Sequence, residues 1–407
     1  MGEYLVRCVS DGSVQPPYAL SCHSDNSLLR TDYAVKRLEL SPFPGIWRFY
    51  DWLPVKGIMS EAWEGSATYR SSGLAAALGL KQLYISFSGY WPDRGARMKT
   101  CSFKELEALP TMQRQRERSD GSTLVVASAG NTARAFAEVA SMTGQPLALF
   151  VPEKAMARMW LTVEKGPVTL FSVKGDYYDA ISMAEMVQSR PGFLPEGGAR
   201  NIARRDGMGT VMLDAALKIG RIPDHYFQAV GSGTGGISAW EAAMRLIVDG
   251  RFGSNLPRLH LAQNVPNAPI YYAYNCQKPT AVCAEMFDDV LFNRRPPYDI
   301  PGGVKDALEA TGGQVYGITD KEAAKAKSLF EETEGIDILN APSVAVAALA
   351  GAVQSGAVSP RDTILLNITG GGVSRVKEDF ALNRLQPDAV VSRWEEAVEF
   401  LESGVGS

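Results

Sequence analysis

In the stretch Thr123-Leu124-Val125-Val126-Ala127-Ser128-Ala129-Gly130-Asn131-Thr132-Ala133-Arg134-Ala135-Phe136 the chain changes period. Its first five residues are an apolar, β-branched run of strand length, whereas from Asn131 to Met142 apolar residues recur at helical spacing. A buried strand that passes through a short polar turn directly into a helix is half of a βαβ unit. The alternation continues downstream, with strands expected at Leu147 to Val151, Val168 to Val173, His225 to Val230, Arg258 to Gln263 and Thr363 to Ile368. Helices are expected at Tyr178 to Gln188, around Gly207 to Lys218, at Ile237 to Val248 and at Ser343 to Gln354. Strands separated by helices imply a parallel sheet covered on its faces, an α/β fold.

Bulk properties agree. A chain of 407 residues, 45% apolar and 21% charged, is long enough for two or three domains around a cleft and too apolar to be largely disordered. The net charge of -4 is small and well mixed, without the basic face that nucleic acid requires. No run approaches the roughly 20 apolar residues of a membrane span. The charged opening Met1-Gly2-Glu3-Tyr4-Leu5-Val6-Arg7 is unlike a signal peptide. Five scattered cysteines do not make a disulfide framework, and a cytoplasmic location is expected.

Four constellations carry chemistry. Thr100-Cys101-Ser102-Phe103-Lys104-Glu105 enters a helix at a lysine, where the helix dipole disfavours a cation. Such a lysine is either a solvated surface residue or an amine kept partly deprotonated to attack an aldehyde. Ser128-Ala129-Gly130-Asn131-Thr132 opens the helix after the first strand and either caps it or holds a carboxylate on its N–H groups. Gly231-Ser232-Gly233-Thr234-Gly235-Gly236 lies between another strand and helix, as a plain turn or as an anion cradle. Its spacing fits neither nucleotide-binding glycine pattern well, which disfavours a nucleotide-dependent oxidoreductase. Asn367-Ile368-Thr369-Gly370-Gly371-Gly372 ends the last strand, on the side where open α/β sheets bind ligands. There a threonine hydroxyl can bond a pyridine nitrogen without holding it protonated.

Taken in chain order, these four runs resemble the fold-type II pyridoxal-phosphate enzymes, tryptophan synthase β-like, and the threonine synthase family in particular, over residues 4 to 380. The resemblance implies two open twisted sheets flanked by helices, assembly into a homo-oligomer, and pyridoxal 5'-phosphate as cofactor. It makes Lys104 the lysine that carries the cofactor and Asn131 the contact to its ring hydroxyl. It places the phosphate on Gly231, Ser232, Gly233, Thr234 and Gly235, and the ring nitrogen on Thr369. Ser128, Ala129, Gly130 and Thr132 would hold the substrate carboxylate. The family usually reads G-S-F-K-D-R at the lysine, so Cys101 and the Glu105-Leu106 pair are departures on the substrate side.

The upstream runs Trp47-Arg48-Phe49-Tyr50-Asp51-Trp52-Leu53-Pro54 and Tyr90-Trp91-Pro92-Asp93-Arg94-Gly95-Ala96-Arg97 resemble one offshoot of that family, the cysteate synthases of methanogenic archaea. The implied reaction takes O-phospho-L-serine and sulfite and releases phosphate and L-cysteate, toward coenzyme M. A threonine synthase acting on O-phosphohomoserine, or a regulator that merely binds the cofactor, shares the cofactor-side residues. Both sharper substrates are oxyanions, so Arg94, Arg97 and Lys99 are candidates to bind them, against the alternative of a solvated basic stretch.

Residues 1–45 read as a cap. Cys8-Val9-Ser10-Asp11 and Cys22-His23-Ser24-Asp25 look like half a zinc ribbon with aspartates where second cysteines would stand, so no metal is expected, although His23 is a spare ligand. Residues 46–120 with 216–380 then form a larger, cofactor-binding domain, and 121–215 an inserted smaller one. Residues 381–407 are expected as a surface-docked tail with an amphipathic stretch from Ser392 to Leu401. None of His23, His225 and His260 falls in a constellation, and no catalytic histidine is expected.

Overall fold

The computed structural model describes residues 3–278 and 286–403. A six-stranded sheet runs in the order Gln314–Ile318, Arg258–Asn264, His225–Ala229, Thr363–Ile368, Gln82–Phe87, Ala67–Arg70, parallel except for the last strand. A five-stranded, wholly parallel sheet runs Phe193–Pro195, Thr123–Ala127, Leu147–Pro152, Val168–Val173, Ala389–Val391. Every residue of Leu147–Pro152, Val168–Val173 and Thr363–Ile368 is buried, which explains why these strands are continuous apolar runs and not alternating ones. The alanine-rich helix Asn340–Gln354 covers the larger sheet, its Val344, Ala345, Ala348 and Leu349 sharing a core with Leu83, Ile85, Ile364 and Leu366.

Two helices begin earlier than their apolar periods suggest. Ile202–Ile219 starts where the Asn201 side chain accepts from the N–H of Ala203, and Thr234–Asp249 takes the last two glycines of the cradle into its first turn. Strands Gln82–Phe87, Ala67–Arg70 and Gln314–Ile318 were not anticipated. Nor was helix Asp320–Glu334, although Thr319 and Glu322 cap it reciprocally.

The C-terminal stretch corrects the expectation of a surface tail. Ala389–Val391 pairs in parallel with Val168–Val173 as the fifth strand of the smaller sheet, and helix Trp394–Glu402 buries Ala397 and Val398 against the same core as Phe150 and Phe171. The physical cause is Val391, which fills an apolar face that Val168–Val173 would otherwise expose.

The cap is a three-stranded antiparallel sheet of Tyr4–Cys8, Val14–Gln15 and Leu29–Tyr33. Thr31 and Tyr33 each donate to Asp206 at 2.6 Å, and Arg30 pairs with Glu241, so buried charges dock the cap on the two helices that follow the small sheet and the cradle. Cys8, Asp11 and Cys22 bring their ligand atoms within 4.8 Å of one another, while His23 is exposed outside this group. The four described cysteines are free thiols. Among the described residues no helix is long and apolar enough to cross a membrane.

Candidate active site

Three loops meet beyond the carboxyl ends of strands from both sheets. Thr123–Ala127 leads into Ser128–Gly130, His225–Ala229 into the glycine cradle, and Thr363–Ile368 into Thr369. The pocket between them is lined by Lys104, Ser128, Ala129, Gly130, Asn131, Thr132, Gly231, Ser232, Gly233, Thr234, Gly235 and Thr369. Residues spread over more than half the chain therefore converge on one cavity.

Backbone clips set the position of Lys104 ahead of its helix, Lys104–Arg118. The N–H of Phe103 donates to Thr369 at 3.0 Å, the N–H of Gly371 donates to the Cys101 carbonyl at 3.1 Å, and Ser102 bridges Gly370. Cys101 is left-handed at φ 55°, the conformation for which the glycine of the related motif is suited. Arg134 reaches back to the Thr100 carbonyl at 2.7 Å and fixes this approach to the helix start of Ser128–Thr132.

Two glycines shape the walls. Gly233 sits at φ 81° before helix Thr234–Asp249, and a Cβ there would stand 2.3 Å from Val304 Cγ2. Gly130, at φ 152°, sits before helix Asn131–Thr143, with room for a Cβ only 3.2 Å from Arg158 Cδ. Both turns place the N-terminus of a helix at the cavity, the end that favours an anion. Ser232 and Thr234 share a 2.6 Å hydroxyl contact at the mouth of the cradle.

These residues fit pyridoxal phosphate. A phosphate matches the glycine cradle at a helix N-terminus. Asn131 uses its Oδ1 to accept from Arg134 at 3.1 Å, which leaves its amide nitrogen without a partner among the described residues. The Thr369 hydroxyl likewise has no hydrogen-bond partner among them, although Thr369 is buried against the pocket.

Electrostatics centre on Lys104. Burial pulls its amine below the ordinary lysine value, Glu107 at 3.3 Å opposes that shift, and Arg204 adds to it. Arg204 lines the pocket and is held 2.8 Å from both Glu107 and Glu196; burial works against its charge, and the two carboxylates more than restore it. Burial also raises the phenol of Tyr177, another lining residue.

Arg94, Arg97 and Lys99 do not line this pocket, which corrects their expected role. Arg94 stacks on Tyr69 and Trp91, Lys99 lies over the Phe380 ring, and Arg97 is exposed in the hairpin Tyr90–Trp91, Ala96–Arg97. Nearness to Lys104 in sequence is undone by that hairpin. Among the described residues the arginine that lines the cavity, Arg204, comes from a helix 100 residues downstream, with no local signal. Glu107 carried one: it follows Lys104 by three positions and shares its helix face. His225 and His260 form a buried pair away from the pocket, 2.9 Å apart.

Comparison with known proteins agrees with this geometry. The family described as "Pyridoxal-phosphate dependent enzyme" matches residues 69–370. A cysteate synthase of Methanothrix thermoacetophila is 58% identical over 404 residues, 96% of each chain. One from Methanococcoides burtonii is 55% identical over 96% of this chain and 94% of its own, and one from Methanosarcina acetivorans 50% over 99% and 100%. Among solved structures, maize serine racemase aligns with a TM-score of 0.58 at 16% identity, covering 83% of this chain and 93% of its own. A pyridoxal 5'-phosphate-dependent aspartate racemase aligns at 0.57 and 16%, covering 76% and 90%. Those two likenesses establish the fold. With the family match spanning both the larger sheet and the pocket, and relatives above half identity along the whole chain, the protein belongs to the pyridoxal-phosphate dependent enzymes and, among them, to the cysteate synthases.

Proposed function

We propose that the enzyme replaces the phosphate of O-phospho-L-serine with sulfite, giving L-cysteate and phosphate. The observation that carries this reading is the convergence of Lys104, the Ser128–Thr132 loop, the Gly231–Gly235 cradle and Thr369 on one pocket, in a chain whose relatives bear that name. Bound pyridoxal phosphate supplies an electron sink that acidifies the α C–H and eases departure of a group from the β carbon.

The protein's own residues do the rest. Gly231 to Gly235 hold the cofactor phosphate on backbone N–H groups, Asn131 donates to the ring hydroxyl, and Thr369 bonds the ring nitrogen without a charge of its own. An uncharged partner there restrains the sink and favours elimination and replacement over other outcomes. Ser128, Ala129, Gly130 and Thr132 bind the substrate carboxylate at the start of helix Asn131–Thr143. Lys104 Nζ moves the α proton, for which its depressed basicity prepares it. Arg158, bonded to the Ala129 carbonyl at 3.2 Å and paired with Asp289, ties the carboxylate loop to the opposite wall. Assembly into a homo-oligomer in the cytoplasm is part of the same reading.

Phosphate release by the cofactor-loaded protein tests it, with O-phosphoserine plus sulfite in one arm and O-phosphohomoserine in the other. Cysteate and phosphate in equal amounts from the first arm alone are expected. Threonine from the second arm would return the protein to the parent activity.

A further inference from the structure

Glu107 has no task in the reading above, and its surroundings are costly to build. Its side chain is fully buried behind the pocket-lining Lys104, Thr132 and Arg204, where an unpaired carboxylate would be expensive and would repel anionic substrates next door. Each neighbouring element contributes a partner. Lys104 Nζ, on its own helix, stands 3.3 Å from Oε2. Thr132, from the carboxylate loop's helix, donates to Oε1 at 3.0 Å. Arg204 Nε, from helix Ile202–Ile219, lies 2.8 Å from Oε2. Among the described residues Glu196 and Tyr177 are the other titratable groups that act on this cluster, and Glu196 occupies Arg204 with two contacts of 2.8 Å.

Arg204 is thereby shared between two carboxylates, its Nε beside Glu107 and its Nη1 bonded to Glu196, which fixes Glu107 next to Lys104. A carboxylate so close to an amine favours its ammonium form. That is of no use to a resting base but valuable to a base that has just taken a proton.

Resting on the proposed β-replacement, we propose that Glu107 is a positioning residue that holds the Lys104 ammonium after it has taken the substrate's α proton, so that the same hydrogen is returned to that carbon in the product. The proton count closes. The α hydrogen passes from Cα to Nζ and back, phosphate leaves with the C–O electron pair, and the sulfur lone pair of hydrogensulfite forms the C–S bond. The hydrogen of hydrogensulfite ends on the phosphate, and water need neither give nor take a proton.

Two measurements test this. In cofactor-free protein, the pH midpoint for reductive methylation of Lys104, read by mass spectrometry of its peptide, should fall by about 1–3 pH units in Glu107→Gln. Glu107→Asp, which keeps the charge, should stay nearer the wild type, which separates loss of the charge from general damage. In deuterium oxide, cysteate made by the wild type from ordinary O-phosphoserine should retain α protium, and that share should drop at least about twofold in Glu107→Gln, whose ammonium lacks its counter-charge. An unchanged midpoint, or undiminished α protium in a Glu107→Gln protein that still makes cysteate, overturns the inference while leaving the reaction standing. Complete α exchange in the wild type overturns it too. Absence of cysteate from the wild type removes the proposed function itself.

Discussion

Gly233 and Lys104 show how single positions carry the site. A methyl at Gly233 would meet Val304 Cγ2 at 2.3 Å and force a left-handed backbone on a residue that resists it, at a cost of at least about 1–2 kcal/mol. Gly233→Ala should therefore weaken cofactor affinity about tenfold or more in an absorbance titration, each decade being about 1.4 kcal/mol; unchanged affinity would remove the cradle from the phosphate. Lys104→Ala should abolish turnover and the absorbance of the lysine-bound cofactor together, and full turnover in that variant would end the assignment. The residues that converge here were legible because each sits where a strand ends and a helix begins, a position that exposes backbone N–H groups whatever the rest of the fold does. Arg204 was not legible, since its approach depends on how helix Ile202–Ile219 packs against helix Lys104–Arg118. Arg94, Arg97 and Lys99 misled because closeness in sequence was taken for closeness in space.

Strand Ala389–Val391 supplies a paired test at the level of elements. Val391 is 1% exposed in the core of the smaller sheet, whereas Val390, its neighbour, is 53% exposed. Val391→Asp should cost about 3 kcal/mol or more in a denaturant titration, because it buries a charge without a partner, while Val390→Asp should stay within about 0.5 kcal/mol. Equal effects would mean that this stretch is the surface-docked tail expected from its charged composition. The strand was missed because three residues give too short a period to read, and its pairing with Val168–Val173 spans more than 200 positions. Helix Asp320–Glu334 carries its signal in the Thr319 and Glu322 capping pair; Thr319→Ala should cost about 1 kcal/mol of stability by the same titration. Elements recovered from sequence alone were the fully buried ones, such as Val168–Val173 and Thr363–Ile368, where an unbroken apolar run leaves little choice.

Across the whole molecule, the larger sheet encloses a chain of polar groups that contributes to its response to acid. His225 bonds both His260, at 2.9 Å, and Asp362, at 3.1 Å, and His260 continues to Tyr316 at 2.7 Å while stacking on Phe227. Burial, with His225 and Arg258 adding to it, lowers His260 from 6.5 to about 3. The unfolded chain takes up a proton at this residue below pH 6.5 and the folded one does not, so stability present above that pH is lost progressively down to about pH 3, by roughly 4–5 kcal/mol in all. Denaturant midpoints measured from pH 7.5 to 4 should fall more steeply for the wild type than for His260→Gln; parallel curves would contradict this. The α/β class followed from the alternation of buried runs and helical periods, whereas the docking of the cap through Asp206 and Glu241 depends on long-range ion pairs that no local pattern announces. All of these parts bring two oxyanions to one lysine, and the most direct test follows the sulfur atom. Isotopically labelled sulfite is supplied with O-phosphoserine to the cofactor-loaded enzyme, and the amino acid product is analysed. The expected result is label in cysteate, one atom for each phosphate released; phosphate released without labelled amino acid, or label that ignores O-phosphoserine, would contradict the account.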